Sequence, residues 1–368
     1  MKALFFIRDL PEPAHNGYKK RNFYLIKELE SRGIQVILKV ESPGNSKIKA
    51  LFFSLFSVLP FSVKLRTSGK IKKKIAGYLK ENPVDIIICD AVQRALNIPL
   101  DNPAYKILYE HNIESMIIKR YAQKEKNIFK KVFAFLECWK LSNFEKKMWN
   151  KFDCSIACSP VDKKIMLRYA PESKVHLINN GVESAYYSSN SNIIEKNTLI
   201  YTGQIGWYPN EDALVYFINE ILPLVKQAVP EVKLWIVGNK PSDKIKEFSQ
   251  KNSNITVTGF VEDVRELMQK ACVYIVPLRI GSGTRLKILE ALSMKKAVVT
   301  TTIGCEGIEV ENNQHLLIRD APEEFAKAVL DVLKNEALRI SLGENGRKLI
   351  EEKYDWKIVF KDLDKILS

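Results

Sequence analysis

Histidine is scarce in this 368-residue chain, which has four, and its six cysteines are scattered. Four of the cysteines sit in apolar runs, and Cys154 and Cys158 are too far apart for a two-residue-spaced zinc or redox pair. No structural zinc is expected from such a set, and reduced thiols in the cytoplasm are the simplest account. Long apolar runs are also missing. Ala50–Phe61 is the most hydrophobic stretch, but a bilayer span takes about 20 apolar residues and Pro60 interrupts it. The apolar start, MKALFFIRDL, meets charge and proline at once, so it reads as a first strand rather than a signal peptide. There is no low-complexity tract or internal repeat. The only Asp-x-Asp, Asp362–Asp364, is near the chain end, far from any predicted site loop, so no metal is expected.

What is present suits a soluble two-domain protein: 46% hydrophobic and 27% charged residues. The charge is uneven. Residues 1–183 hold 33 Lys and Arg against 18 Asp and Glu, which leaves 24 against 25 for the remainder. A basic half suits an anionic membrane surface or an anionic acceptor. Nucleic acid or an ordinary solvated surface would also account for it.

The stretch Tyr274–Thr302 organises the rest. An apolar run, Val273–Pro277, reads as a buried strand. A loop, Gly281-Ser282-Gly283-Thr284, follows. A helical pattern then places Leu286, Leu289 and Leu292 on one face, and Ala297–Thr301 closes a βαβ unit. A glycine loop entering a helix offers backbone N–H groups and the positive end of a helix dipole, which suits a phosphate. Arg279, Arg285 and Lys287 add cations. Glu290, about one turn beyond Lys287, could accept two ribose hydroxyls.

This stretch resembles the nucleotide-sugar signature of the family 4 retaining glycosyltransferases, which have the GT-B fold. The resemblance implies an α/β protein of two Rossmann-like, doubly wound domains facing a central cleft. It implies an N-terminal acceptor-side domain over 1–185, a donor domain over 186–354, and a final helix, 355–368, that packs back on the first. The loop Gly281–Thr284 with Arg279, Arg285 and Lys287 would hold a diphosphate, and Glu290 the ribose. Ser282 stands where many members carry a first glutamate.

The remaining expectations follow chain order. Ala3–Ile7 is the first strand, and Asn16 caps a helix that ends near Gly33. Gly17 and Arg21 resemble the family's glycine loop and arginine close to the donor phosphates. Ile48–Leu65 and Lys70–Lys80 read as helical. His111, directly after the strand Lys106–Tyr109, resembles the family's histidine beside the donor sugar. Tyr121–Asn150 reads as a packed helix with Phe129, Phe133, Leu136 and Trp139 on one face. Ser184–Asn197 reads as the interdomain linker. Gly203 and Trp207 lie in the first turn of the second domain, and Gly259-Phe260-Val261 resembles the segment that reads the base.

His111, Lys287 and Glu290 are thus the expected catalytic residues. The implied substrates are a UDP- or GDP-sugar and a glycan or lipid-linked acceptor, with no cofactor, no metal and no nucleic acid. The implied place is the cytoplasm, at the inner face of the membrane. Alternatives are a GT-B sugar-nucleotide epimerase and a non-catalytic, membrane-associated nucleotide-sugar-binding protein.

Overall fold

A computed structural model describes residues 1–14, 16–41, 45–188 and 194–367. His15 and part of the expected linker lie outside the described residues. The chain forms two compact units, Met1–Asn179 with Phe360–Ser368, and Asn180–Val359.

The first unit is built on β1 (Lys2–Ile7), β2 (Gln35–Val40), β3 (Ile86–Asp90), β4 (Tyr105–Tyr109), β5 (Cys154–Ala157) and β6 (Val175–Leu177). Their order in the sheet is β2-β1-β3-β4-β5-β6, and every pairing is parallel. Strands buried on both faces read as unbroken apolar runs, and Ala3–Ile7 and Ile86–Cys89 are buried throughout. The second unit has β7 (Glu195–Thr202), β8 (Lys233–Val237), β9 (Ile255–Gly259), β10 (Ala271–Val276), β11 (Ala297–Thr300) and β12 (Leu317–Ile318). Their order is β12-β11-β10-β7-β8-β9, again parallel. In each sheet the chain starts in the middle, builds outward on one side, then crosses to the other. The loops after the strands therefore diverge between β1 and β3, and between β7 and β10. Ligands of doubly wound sheets bind at such reversals.

Helix α1 (Gly17–Ser31) begins at Asn16, whose side chain accepts from the Lys19 amide at 3.0 Å, and ends before Gly33 at φ 75°. The apolar segment expected as one helix is two, α2 (Lys47–Leu55) and α3 (Phe61–Arg66), with Pro60 at the start of the second. Proline is tolerated at a helix start but breaks an interior. Helix α4 (Gly69–Glu81) follows. The long helix expected from Tyr121 is also divided, into α5 (Glu114–Lys124) and α6 (Ile128–Lys151). Asn127 caps α6 by accepting from the amides of Phe129 and Lys130.

The face of α6 expected to be packed is not. Phe129 is 83% exposed, Trp139 58% and Leu136 39%, and Phe133 is only partly buried. The packed face instead carries Leu141, Phe144, Met148 and Trp149.

The boundary between units precedes Asn180, ahead of the expected break at 185. Val182 bridges Asp355, the Ser184 amide donates to the Asp355 carboxylate at 3.1 Å, and Asn180 donates to the Thr284 carbonyl at 3.2 Å. These bonds tie 180–184 to the second unit. The returning segment starts at Phe360 rather than 355. There Arg32 donates to the Phe360 carbonyl at 2.9 Å and pairs with Asp364.

Each unit has its own core. Phe217 and Phe325 meet edge to face in the second, with centroids 6.0 Å apart and both side chains fully buried. Phe325→Ala is expected to cost about 3–5 kcal/mol, read as a lowered denaturation midpoint with an unchanged slope.

Candidate functional site

In the second unit the reversal between β7 and β10 is occupied by an ammonium group. Lys287 is in the first turn of the helix Leu286–Ser293. Its Nζ donates to Asn210 Oδ1 at 3.1 Å and lies 3.9 Å from the Tyr201 ring centroid. Tyr201 ends in the same place, its hydroxyl donating to Asn210 Oδ1 at 2.6 Å. Asn210 is itself fixed by donating to the Gln204 carbonyl at 2.7 Å. Room for the lysine comes from Gly203, at φ 144°, where a Cβ would stand 2.8 Å from Nζ. Gly238, at φ 148°, makes that position possible in turn, since a Cβ there would overlap the Gly203 carbonyl oxygen.

Among the described residues no carboxylate lies within ion-pair distance of Lys287. Desolvation, helped by the charge of Arg285 and opposed by Glu290, lowers its pKa from 10.5 to about 7. Glu290 is buried and hydrogen-bonded to Tyr187. The arrangement is a sequestered cation at a glycine turn, with a carboxylate one turn further along the helix.

The other predicted residues separate into groups. Gly281 (φ 155°) and Gly283 (φ 72°) shape the loop, and Ser282 and Thr284 are buried in it. Thr284 donates to the Gly307 carbonyl at 3.3 Å. Two of the predicted arginines make contacts within the unit. Arg279 is paired with Asp212 through Nε at 3.1 Å and Nη2 at 2.7 Å, and stacks on Tyr216. Arg285 is turned onto its own loop, where Nη1 donates to the Ser282 and Gly283 carbonyls. Through Nη1 it braces the loop, and it adds charge there. Trp207, 39% exposed, precedes the helix Tyr208–Tyr216. Gly259 (φ 72°) ends β9, followed by exposed Phe260 and half-buried Val261.

In the first unit the reversal between β1 and β3 holds a carboxylate. Asp90, at the end of β3, is fully buried. One of its oxygens bonds His111 Nε2 and the other accepts from the Tyr18 hydroxyl. Arg94 donates to the Asp90 carbonyl at 3.0 Å and to Glu41 at 2.9 Å. Burial alone would raise the Asp90 pKa, but His111, Arg94 and the Tyr18 bond hold it below the usual range. Burial also outweighs Asp90 at His111 and lowers the imidazole pKa. The ring is therefore neutral at pH 7. Pairing with Asp90 assigns its proton to Nε2, which makes Nδ1 the acceptor. Behind it Glu110 is pushed well up by burial and by Glu145. It accepts from the Val92 amide and the Trp149 indole, both at 3.2 Å.

Gly17, exposed, opens α1. Arg21 is likewise engaged within its own unit. It is 1% exposed and donates to the Tyr109 hydroxyl at 2.7 Å, the Glu110 carbonyl at 2.6 Å and the Ile178 carbonyl at 3.1 Å. It is a strut from α1 to the ends of β4 and β6. Sequence reasoning missed Asp90, Tyr18, Tyr201 and Asn210. Asp90 had a signal, an acid ending an apolar run (IIICD). Among the described residues no group of three or more His, Cys, Asp and Glu side chains is placed to hold a metal ion.

Two six-stranded parallel sheets of this topology, each with its own helices, define the GT-B class. Residues 196–335, within the second unit, match the model of the family described as glycosyl transferases group 1. The chain is 26% identical to an uncharacterised 44.6 kDa protein in the cps region of Klebsiella pneumoniae, over 99% of both chains. It is 24% identical to the capsular polysaccharide biosynthesis glycosyltransferase CapM of Staphylococcus aureus, over 53% of this chain and 51% of that one. Anabaena HepE, solved in complex with UDP-glucose, has the same fold. Its TM-score is 0.69 at 14% identity, covering 100% of this chain and 99% of the other.

A desolvated lysine costs stability. The unfolded chain keeps its proton up to about pH 10.5 while the folded one loses it near 7, so the penalty is full below pH 7 and fades as pH approaches 10.5. Lys287→Met is expected to stabilise the protein by about 1–3 kcal/mol at pH 6, with the gain shrinking by pH 10. Urea denaturation at the two pH values checks both sign and trend.

Proposed function

We propose that this protein is a retaining glycosyltransferase of the hexosyltransferase type. In this reading it moves a sugar from a UDP- or GDP-sugar to a glycan or lipid-linked acceptor in cell-surface polysaccharide or glycolipid synthesis. It works in the cytoplasm, peripheral to the membrane. The observation that carries the reading is Lys287, a half-buried ammonium without a carboxylate partner among the described residues, at a glycine turn and a helix N-terminus. A cation so desolvated gains most from an anion that enters with it. The similarity to CapM and HepE supports a polysaccharide context and a nucleotide-sugar donor.

The roles then divide by unit. In the second, Lys287 and the amides of the 281–285 loop stabilise the departing diphosphate, and Arg285 adds charge from behind the loop. Glu290 accepts the ribose hydroxyls. Gly203, Trp207 and the 259–261 turn border the nucleotide. In the first, His111 is assigned to the transferred sugar, held in one tautomer by Asp90. The chemistry is electrostatic, with an oxocarbenium-like sugar meeting the acceptor hydroxyl and no covalent nucleophile. The cations and amides present meet the diphosphate charge, so the reading calls for no metal.

A thermal-shift panel of nucleoside diphosphates and their sugars tests this first. UDP or GDP at a hundredfold excess over its dissociation constant should stabilise by about 2.7 kcal/mol. Lys287→Ala should weaken that binding by about 10–100-fold, the worth of one charge-assisted hydrogen bond, and Glu290→Ala should reduce it as well. No shift with any nucleotide, or unaltered donor turnover in both variants, would overturn the reading.

Binding should also be linked to protons. Free Lys287 is half-deprotonated near pH 7, and a diphosphate beside it restores the proton. Affinity is therefore expected to be flat below pH 7 and to fall up to tenfold per unit above it. Calorimetry at pH 8 in two buffers of different ionisation enthalpy should show proton uptake, which Lys287→Arg abolishes.

A further inference from the structure

The outer half of α6 is built inside out. Its inward face carries Glu137, 4% exposed, and Lys140, 5% exposed. Both are held by the α2–α3 joint. The Phe61 amide donates to Glu137 Oε2 at 2.6 Å, and Lys140 Nζ donates to the Ser54 carbonyl at 2.6 Å. Its outward face carries Phe129, Val132 and Trp139, all more than half exposed at helical spacing. The segment it grips is equally unusual. In α2 only Ala50 and Ser54 are buried, while Leu51, Phe52 and, just past its end, Phe56 face solvent. Of the exposed large hydrophobic side chains among the described residues, more than half lie between Ile48 and Val58 or between Ile128 and Trp139. That makes a patch, not the single apolar residues that any surface scatters.

The charge around the patch has one sign. Residues 42–80 contain no Asp or Glu but carry nine Lys and Arg. From Lys126 to Phe144 the only acid is the buried Glu137. Where the two segments meet, an apolar pocket of about 200 Å³, floored by Leu59, Leu96 and Phe144, opens beside the exposed Lys147 and Lys151. No helix among the described residues is long and apolar enough to cross a membrane, so the surface would lie on a bilayer.

We propose that the exposed faces of α2 and the first half of α6 form one docking surface for an anionic lipid bilayer, with aromatic side chains inserted among acyl chains and the surrounding lysines on lipid phosphates. A second copy of this chain fits less well, because an isologous contact would bring the same positive surplus against itself. This names the membrane partner of the proposed transferase, but the surface stands without any turnover.

Flotation with vesicles tests it, using phosphatidylcholine alone and phosphatidylcholine mixed with phosphatidylglycerol. The protein should float with the mixed vesicles at low salt, lose at least tenfold in affinity on phosphatidylcholine alone, and show a blue shift of tryptophan emission that Trp139→Ser removes. The exposed-site variant Phe56→Ser/Phe129→Ser/Trp139→Ser should stay in solution while keeping its thermal midpoint and its nucleotide-induced shift. That retained shift separates a failed surface from a failed donor site. Failure to float with either vesicle overturns the proposal. So does a concentration-dependent dimer, by light scattering, that the triple variant dissolves.

Discussion

The partial desolvation of the Lys287 ammonium without a carboxylate at ion-pair distance is the constraint on which the second unit's loops depend. The groups that touch the cation directly offer it negative density without a full charge. Tyr201 gives a ring face, Asn210 gives a carbonyl oxygen, and neither could be reached if Gly203 had a side chain. Gly203 in turn stands where it does because Gly238 leaves room for its carbonyl. Two strand ends, β7 and β8, are thereby committed to one atom of a helix that follows β10. A neutral polar cage lowers the cost of the cation without cancelling it. That residual cost is what an anionic ligand would relieve.

The first unit solves the opposite problem at the equivalent place in its sheet. There the buried charge is a carboxylate, Asp90, and it is saturated by His111, Tyr18 and the nearby Arg94. A saturated charge is a poor binding site and a good anchor. Its consequence is felt one residue out, at the imidazole, which burial keeps neutral and Asp90 keeps in a single tautomer. One unit therefore holds a cation open to a ligand, and the other fixes the orientation of a neutral ring. A reaction in which a diphosphate leaves and a sugar is steered needs both kinds of group.

Much of this was legible where the chemistry is local. The glycine loop, Lys287 and Glu290 lie within ten residues, and glycine spacing and helix period are enough to bring them together. The Asn16 cap needed only its own amide three residues on. The contacts of the arginines were not legible because they are long-range. Arg21 looked like a phosphate ligand because its partner Tyr109 is 88 residues away. Arg279 looked available because Asp212 is 67 residues before it. An arginine's role is decided by which carboxylate or carbonyl reaches it first, and that is a property of topology. Pro60 and Asn127 were readable as breaks but were passed over in favour of continuous periodicity. The domain boundary moved because Asp355 captures Ser184, another contact with no local signature.

Helix α6 shows what periodicity can and cannot say. The stripe Phe129–Trp139 is real, and reading it as a packed face assumed that the core is the only apolar environment available. The helix instead buries Glu137 and Lys140, each compensated by a backbone partner from the α2–α3 joint. Exchanging the two faces would bury the aromatics and hydrate the charges, and hydrophobic burial alone favours that exchange. A sequence under pressure only to fold in water would drift that way. The inverted face is held here by one backbone bond to each of the two buried polar side chains, which leaves the aromatic stripe without a structural task inside its own unit. Such a stripe, flanked by lysines and lacking acids, is matched chemically by a surface that is apolar beneath and anionic above.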